Sequence, residues 1–162
     1  MNIRTDAILR LRDHLLSSDP EAAGRSPDEQ PGDAVRLRVE PFAETMFLVM
    51  LADEEQADSE HGALVVAVDM LTDGLMGRDA VDALLAEFAE RVRQEGREGC
   101  VARIGAWLSA DRDDREMAFT LAAVIALADD RVAVEENEVL DLMRTYYGIS
   151  NRRMEAILGT LA

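Results

Sequence analysis

The sequence predicts an all-α protein, and three observations carry the prediction. Apolar residues recur three and four positions apart in one stretch after another, the spacing of a buried helical stripe. Short clusters of Gly, Asp, Ser and Asn separate those stretches, as helix ends require. The chain has 162 residues, 48% of them hydrophobic, which is enough to close one core despite 31% charged residues. The expected architecture is a single bundle of about seven helices, with one further helix at the N-terminus.

Ile8, Leu11 and Leu15 share a helical stripe within residues 1–17, with charged residues between them, and predict an amphipathic helix. Its expected seat is its own domain. Residues 18–34 follow, with three of the four prolines and almost no large apolar side chain, and read as a flexible linker. The domain proper is expected over residues 35–162. Val35-Arg36-Leu37-Arg38-Val39 alternates with period two and suggests a short strand, although nothing visible would pair with it. Pro41 suits the first turn of a helix running to about Ala52, and that helix is apolar nearly all round, as one buried on most sides would be.

The later stripes are all helical. Leu64, Val68 and Leu71 form one; Val81, Leu84, Leu85 and Phe88 the next; Val101, Ile104 and Leu108 another, with Trp107 alongside. Met117, Leu121, Val124, Ile125 and Ala128 follow, then Val139, Leu142, Met143 and Tyr146, then Met154, Ile157, Leu158 and Leu161. Breaks are expected at Asp73-Gly74 and Gly77, at Gly96 and Gly99, from Ser109 to Asp114, and from Gly148 to Asn151. The methionine and aromatic positions on these stripes are expected in the core.

Charge narrows the partners. With 33 acidic and 17 basic residues the formal net charge is −16, so phosphate backbones and anionic lipid are repelled. Nucleic acid is not an expected ligand; another protein, or a divalent cation, is. All 17 basic residues are arginine, and their spacing selects no bidentate recognition motif. Cys100 is the single cysteine, so it forms no intrachain disulfide, and beside Val101 and Ile104 it reads as a buried thiol. No apolar run reaches a membrane span and the N-terminus has no signal-type core, so the cytoplasm is the expected location.

Two segments answer each other 76 residues apart. Leu51-Ala52-Asp53 matches Leu127-Ala128-Asp129, Glu60 falls on Glu136, Leu64 on Leu140, and Glu40 on Glu116. With a slip of three, Val81–Leu85 then resembles Met154–Leu158. Two such units suggest a pseudo-twofold bundle with its two most apolar helices at the centre. Each unit has an Asp where the apolar helix ends and a Glu seven residues later, in the first turn of the next helix. An acid at a helix N-terminus is ordinary and contributes about 0.3–1 kcal/mol, and Asp58 suits such a cap. Asp53 and Asp129 stand at C-termini, where the helix dipole disfavours them, so a shared cation is one reason to place them there.

This repeated acidic turn, from Ala126-Leu127-Ala128-Asp129 through Glu136 to Gly148 and again at Ala52-Asp53 to Glu60, resembles the TerB-like tellurite-resistance family. The resemblance covers about Glu40 to Ala162. It implies a two-fold-like helical bundle and a cytoplasmic, non-catalytic protein of stress or metal-oxyanion resistance. It also implies a divalent-cation site formed by Asp53, Glu60, Asp129 and Glu136. The sequence departs from the family where Gly should follow each Asp, having Glu54 and Asp130, and where Ser should cap, having Ala57 and Ala133. A helical framework tolerates such changes better than a turn-built ligand site does.

Other chemistry finds little footing. An EF-hand counted from Asp129 would need a bidentate Glu where Leu140 stands. Cys100, His14 and His61 are far apart for zinc, and His61 beside Glu60 reads as a half-exposed helix residue. The acidic and basic run Asp111–Glu116 reads as a solvated turn with a helix cap. There is no phosphate loop and no nucleophile motif, so no catalysis is expected. Two classes remain: a cation-responsive TerB-like protein, or a helical protein–protein interaction module whose function lies in an apolar groove or in the N-terminal helix.

Overall fold

The computed structural model describes residues 6, 8–10, 12–13, 31–52, 57–72, 74, 76–127 and 134–161. Among these, six α-helices and one 3-10 turn follow one another and no strand occurs: α1 Pro31–Met50, α2 Ala57–Leu71, α3 Arg78–Trp107, the turn Leu108–Ala110, α4 Arg112–Ala126, α5 Val134–Tyr146 and α6 Asn151–Leu161. The described residues of the N-terminal segment are helical as well, and Ile8 among them belongs to the core. Leu11 and Leu15 lie outside the described residues.

The centre of the bundle is α1 against α4, the most extensive helix contact among the described residues, as the two most apolar stretches lead one to expect. Every residue from 41 to 50 is buried, including Phe42, Met46 and Leu48. At about 1.5–3 kcal/mol for each fully buried large apolar side chain, this stretch alone is a major source of stability. α2 and α3 pack on α1, α5 packs on α3 and α4, and α6 lies on α4. Phe47 and Phe88 meet across α1 and α3 with ring centroids 5.7 Å apart.

Two sequence expectations are overturned in α1. Residues 35–39 are not a strand but the second turn and more of this helix, and Pro41 sits inside it rather than at its start. An isolated strand would leave its N–H and C=O groups unpaired, whereas a helix satisfies them locally. The helical stripe runs straight through the proline, with Val39, Phe42, Ala43 and Met46 all buried, and Arg36 reaches Glu40 one turn on at 3.6 Å. Pro41 has no N–H, so the Leu37 carbonyl loses its usual donor. Residues 31–34, assigned from sequence to the linker, are the first turn of α1; residues 14–30 lie outside the described residues.

The breaks predicted at Gly77, from Ser109 to Asp114 and from Gly148 to Asn151 fall where helices end, whereas Gly99, also expected as a break, continues α3. The break inside α3 is a kink: Gly96 has φ 73° and ψ 164°, a conformation that costs a side chain dearly, and it divides the helix into 78–95 and 97–107. Arg97, just past the kink, donates to the Leu51 carbonyl beyond the end of α1 at 3.3 Å. Gly105 serves close approach instead. A Cβ there would lie 2.6 Å from the Tyr146 carbonyl oxygen, so only glycine lets α3 come this near α5. The run from Asp111 behaves as expected, its exposed carboxylate accepting from the Asp113 and Asp114 amides at 2.7 and 3.4 Å to cap α4.

Two aromatic residues are not where their stripes place them. Trp107 is 56% exposed and Tyr146 40% exposed, while Tyr147 is fully buried. Both exceptions occur in the last turn of a helix, where the stripe runs out and the chain turns away.

Candidate functional site

The described residues offer one site with built chemistry, a cleft of about 520 Å³ between the first half of α1 and the last turns of α3. Its walls are apolar: Leu37 and Pro41 on one side, Ile104 and Trp107 on the other. Leu37 and Trp107 are each more than half exposed, the two most exposed large apolar side chains of the cleft.

Its base is ionic. Glu44 is 1% exposed and would be prohibitively placed as a bare charge, yet three N–H groups meet it. Arg103 grips it with Nη2 at 2.6 Å from Oε1 and Nη1 at 3.2 Å from Oε2, and Arg91 Nη1 reaches Oε2 at 3.0 Å. The set extends outward: Arg91 to Glu40 at 2.5 Å, Arg103 to Glu95 at 3.0 Å, and Arg36 to Glu87 at 2.5 Å. The Glu44 hydrogen bond, outweighing burial, holds the Arg103 guanidinium well above its ordinary pKa. Burial pulls Arg91 down, but Glu40 and Glu44 more than compensate, and it too stands above its ordinary value. Arg91 also lies over the Phe88 ring, 5.6 Å from its centroid.

Next to this cluster is a buried hydroxyl chain. Thr45 Oγ1 donates to the Pro41 carbonyl at 2.8 Å, which uses its one hydrogen. The 2.7 Å contact between Thr45 and Tyr147 must then have Tyr147 as donor. Burial pushes the Tyr147 phenol well above its ordinary value. Cys100 is buried as the sequence suggests, and burial, with Glu44 nearby, raises its thiol.

These groups position rather than react. Each oxygen of Glu44 is already occupied by a guanidinium N–H, and the phenol and thiol are both held in their neutral forms. What the arrangement does is lock α1 to both segments of α3, so that the walls carrying Leu37 and Trp107 keep a fixed separation. One signal in the sequence could have found it: Glu44 is a carboxylate in the middle of an otherwise apolar helix, and such a group demands a partner.

The sequence-predicted cation ligands meet a different outcome. Asp53 and Asp129 lie outside the described residues; Glu60 is in the first turns of α2 and Glu136 in the first turn of α5, but their side chains are likewise outside the described set. Among the described residues no group of three or more His, Cys, Asp or Glu is arranged to hold a metal ion. No described helix is long and apolar enough to cross a membrane. Compared with protein-family models, curated proteins and solved structures, the chain matches none.

Proposed function

We propose that this protein is a non-catalytic helical interaction module that receives a helix of another protein in the Leu37–Trp107 cleft. The observation that carries this reading is the exposure of those two side chains, 54% and 56%, on facing walls over a rigid ionic base. A large exposed aromatic beside a preformed apolar cleft is the usual anchor of a protein interface. The partner implied is an amphipathic helix: an apolar side chain enters between Leu37 and Trp107, and basic residues around it meet a chain of net charge −16.

The test is a photo-reactive phenylalanine analogue at position 107 in cells, with the same analogue at exposed Ala86 as control. The expected result is a discrete adduct through a basic helical segment, lost when Leu37→Asp is added to a chain that still melts cooperatively. No adduct beyond that at position 86, or one indifferent to Leu37→Asp, removes the reading.

A second reading, the TerB-like cation site, is favoured by the helix boundaries. α1 ends at Met50 and α4 at Ala126, 76 apart, and α3 and α6 begin at Arg78 and Asn151, 73 apart. These are the offset of the sequence repeat and its slip of three, and they support a pseudo-twofold bundle with equivalent acidic turns. In this reading Asp53, Glu60, Asp129 and Glu136 bind a divalent cation in a setting of metal-oxyanion or other stress. A cation bound only by the folded chain raises its melting temperature saturably. Chelator-treated protein melted with Ca²⁺, Mg²⁺, Mn²⁺ or Zn²⁺, each against an ionic-strength control, is therefore expected to respond to one of them. The Asp129→Asn, Glu136→Gln variant is expected to lose the response. An equal response to all ions in both proteins eliminates the site.

A further inference from the structure

The ionic base holds the two walls of the Leu37–Trp107 cleft together, and a different group sets how far apart they stand. Arginine stems are long and flexible, so the grip of Arg91 and Arg103 on Glu44 closes over a range of wall separations. An aromatic ring has no such slack. Tyr147, fully buried just past the end of α5, touches both helices that carry the walls. On the α3 side, a Cβ at Gly105 would stand 3.2 Å from the Tyr147 ring and 2.6 Å from the Tyr146 carbonyl oxygen. Gly105 adjoins Ile104 and lies two residues from Trp107, both of the α3 wall. On the α1 side, the Tyr147 hydroxyl donates to Thr45 at 2.7 Å, and Thr45 donates at 2.8 Å to the carbonyl of Pro41, a residue of the opposite wall.

The ring is itself pinned from behind. The Tyr147 N–H donates to the Met143 carbonyl at 2.8 Å, one turn back along α5, and the Tyr147 carbonyl accepts from Arg115 of α4 at 3.4 Å. The residue thus runs from a backbone fixed on α4 and α5 to a hydroxyl fixed on α1, with α3 against its flank. We infer that Tyr147 is the positioning residue of the cleft, setting the Leu37–Trp107 gap before any partner arrives. Walls already spaced in the free protein need no ordering when a ligand binds, which favours affinity. The inference rests on the cleft being the binding site and names the side chain that preorganises it.

Trp107 is the only tryptophan in the chain, so fluorotryptophan labelling of the full chain places a single fluorine on the α3 wall, and its NMR line reads that wall alone. A wall held at one spacing gives one narrow line; a wall free to shift gives a broadened or divided one. The narrow line is expected in wild type and in Thr45→Ser, which keeps the hydroxyl. Its loss is expected in Tyr147→Phe and in Thr45→Val, with the double variant no worse than either, because both remove the same bond. Leu84→Ala, at a buried position in the first half of α3, is expected to lower the melting temperature yet keep the narrow line. A narrow line in both Tyr147→Phe and Thr45→Val, several lines in wild type, or a Leu84→Ala line as broad as theirs overturns the inference. So does loss of the cooperative melt in Tyr147→Phe and Thr45→Val alike, since the pair would then hold the core together rather than space the walls. None of these readings needs a partner, so they stand or fall separately from the crosslinking at position 107 that tests the binding site itself.

Discussion

Two carboxylates in this molecule are each held by a pair of arginines, and they do different things. Glu44 on α1 is 1% exposed and takes Arg91 and Arg103 from α3. Glu116 on α4 is 15% exposed and takes Arg112 from its own helix and Arg153 from α6, at 3.0 and 2.7 Å. The ligand sets match in composition, and both tie one of the two central helices to a later one. They differ in what happens when the arginines go. Water can reach Glu116 and replace them, whereas Glu44 would be left as a charge in the core. Burial, not the number of ion pairs, decides how much each cluster matters to the fold.

The largest expected effect is therefore at Glu44. An Arg91→Met, Arg103→Met double variant keeps the stems but removes every cation from a fully buried carboxylate, which costs about 3–5 kcal/mol. For a chain of this size that is a fall in melting temperature of roughly 10 °C or more. Adding Glu44→Met is expected to return most of it, because an apolar set of similar volume commonly does as well as a buried ion pair. Thermal melts of the double and triple variants check this. A triple variant no more stable than the double would mean that the arginines stabilise through something other than Glu44, and the contrast with Glu116 would collapse.

The same contrast explains what could be read from the sequence. The helices and their breaks were legible because periodicity and Gly or Asp punctuation are local properties: the break at Gly96 and the Asp111 cap needed no knowledge of the partner helices. The period-two run 35–39 misled because Val35 and Val39 are also four apart, so one short string fits both a strand and a helix, and only the surrounding stripe decides. Pro41 misled for a related reason. A proline prefers a first turn, but the burial of Val39, Phe42 and Met46 around it outweighs one lost hydrogen bond. Trp107 falls beside a core stripe because spacing cannot tell the last turn of a helix from its middle. The Glu44 cluster is half legible: a carboxylate inside an apolar helix demands a partner, but Arg91 and Arg103 are 47 and 59 residues away, and nothing local to 17 arginines marks which two turn inward. The acidic quartet was the most visible pattern in the sequence, and Asp53 and Asp129 fall outside the described residues.

The smallest expected effect is at Glu116, and pH is what separates it from a packing contribution. Burial pulls its carboxyl upward, but Arg153 and Arg112 outweigh this and hold it below its ordinary value of 4.5. A carboxyl depressed in the folded state contributes stability that is full above the unfolded value and lost as pH falls through the folded one. Glu116→Gln is then expected to cost about 0.2–1 kcal/mol near neutral pH, because Arg112 and Arg153 are well exposed at 73% and 48%. The difference from wild type is expected to shrink below about pH 4.5 and to vanish in stronger acid, and to narrow with added salt at neutral pH. Urea melts of both chains across that range read it directly. A difference that persists unchanged in acid would mean that Glu116 acts through the shape of its side chain, and that exposure is not what distinguishes the two clusters.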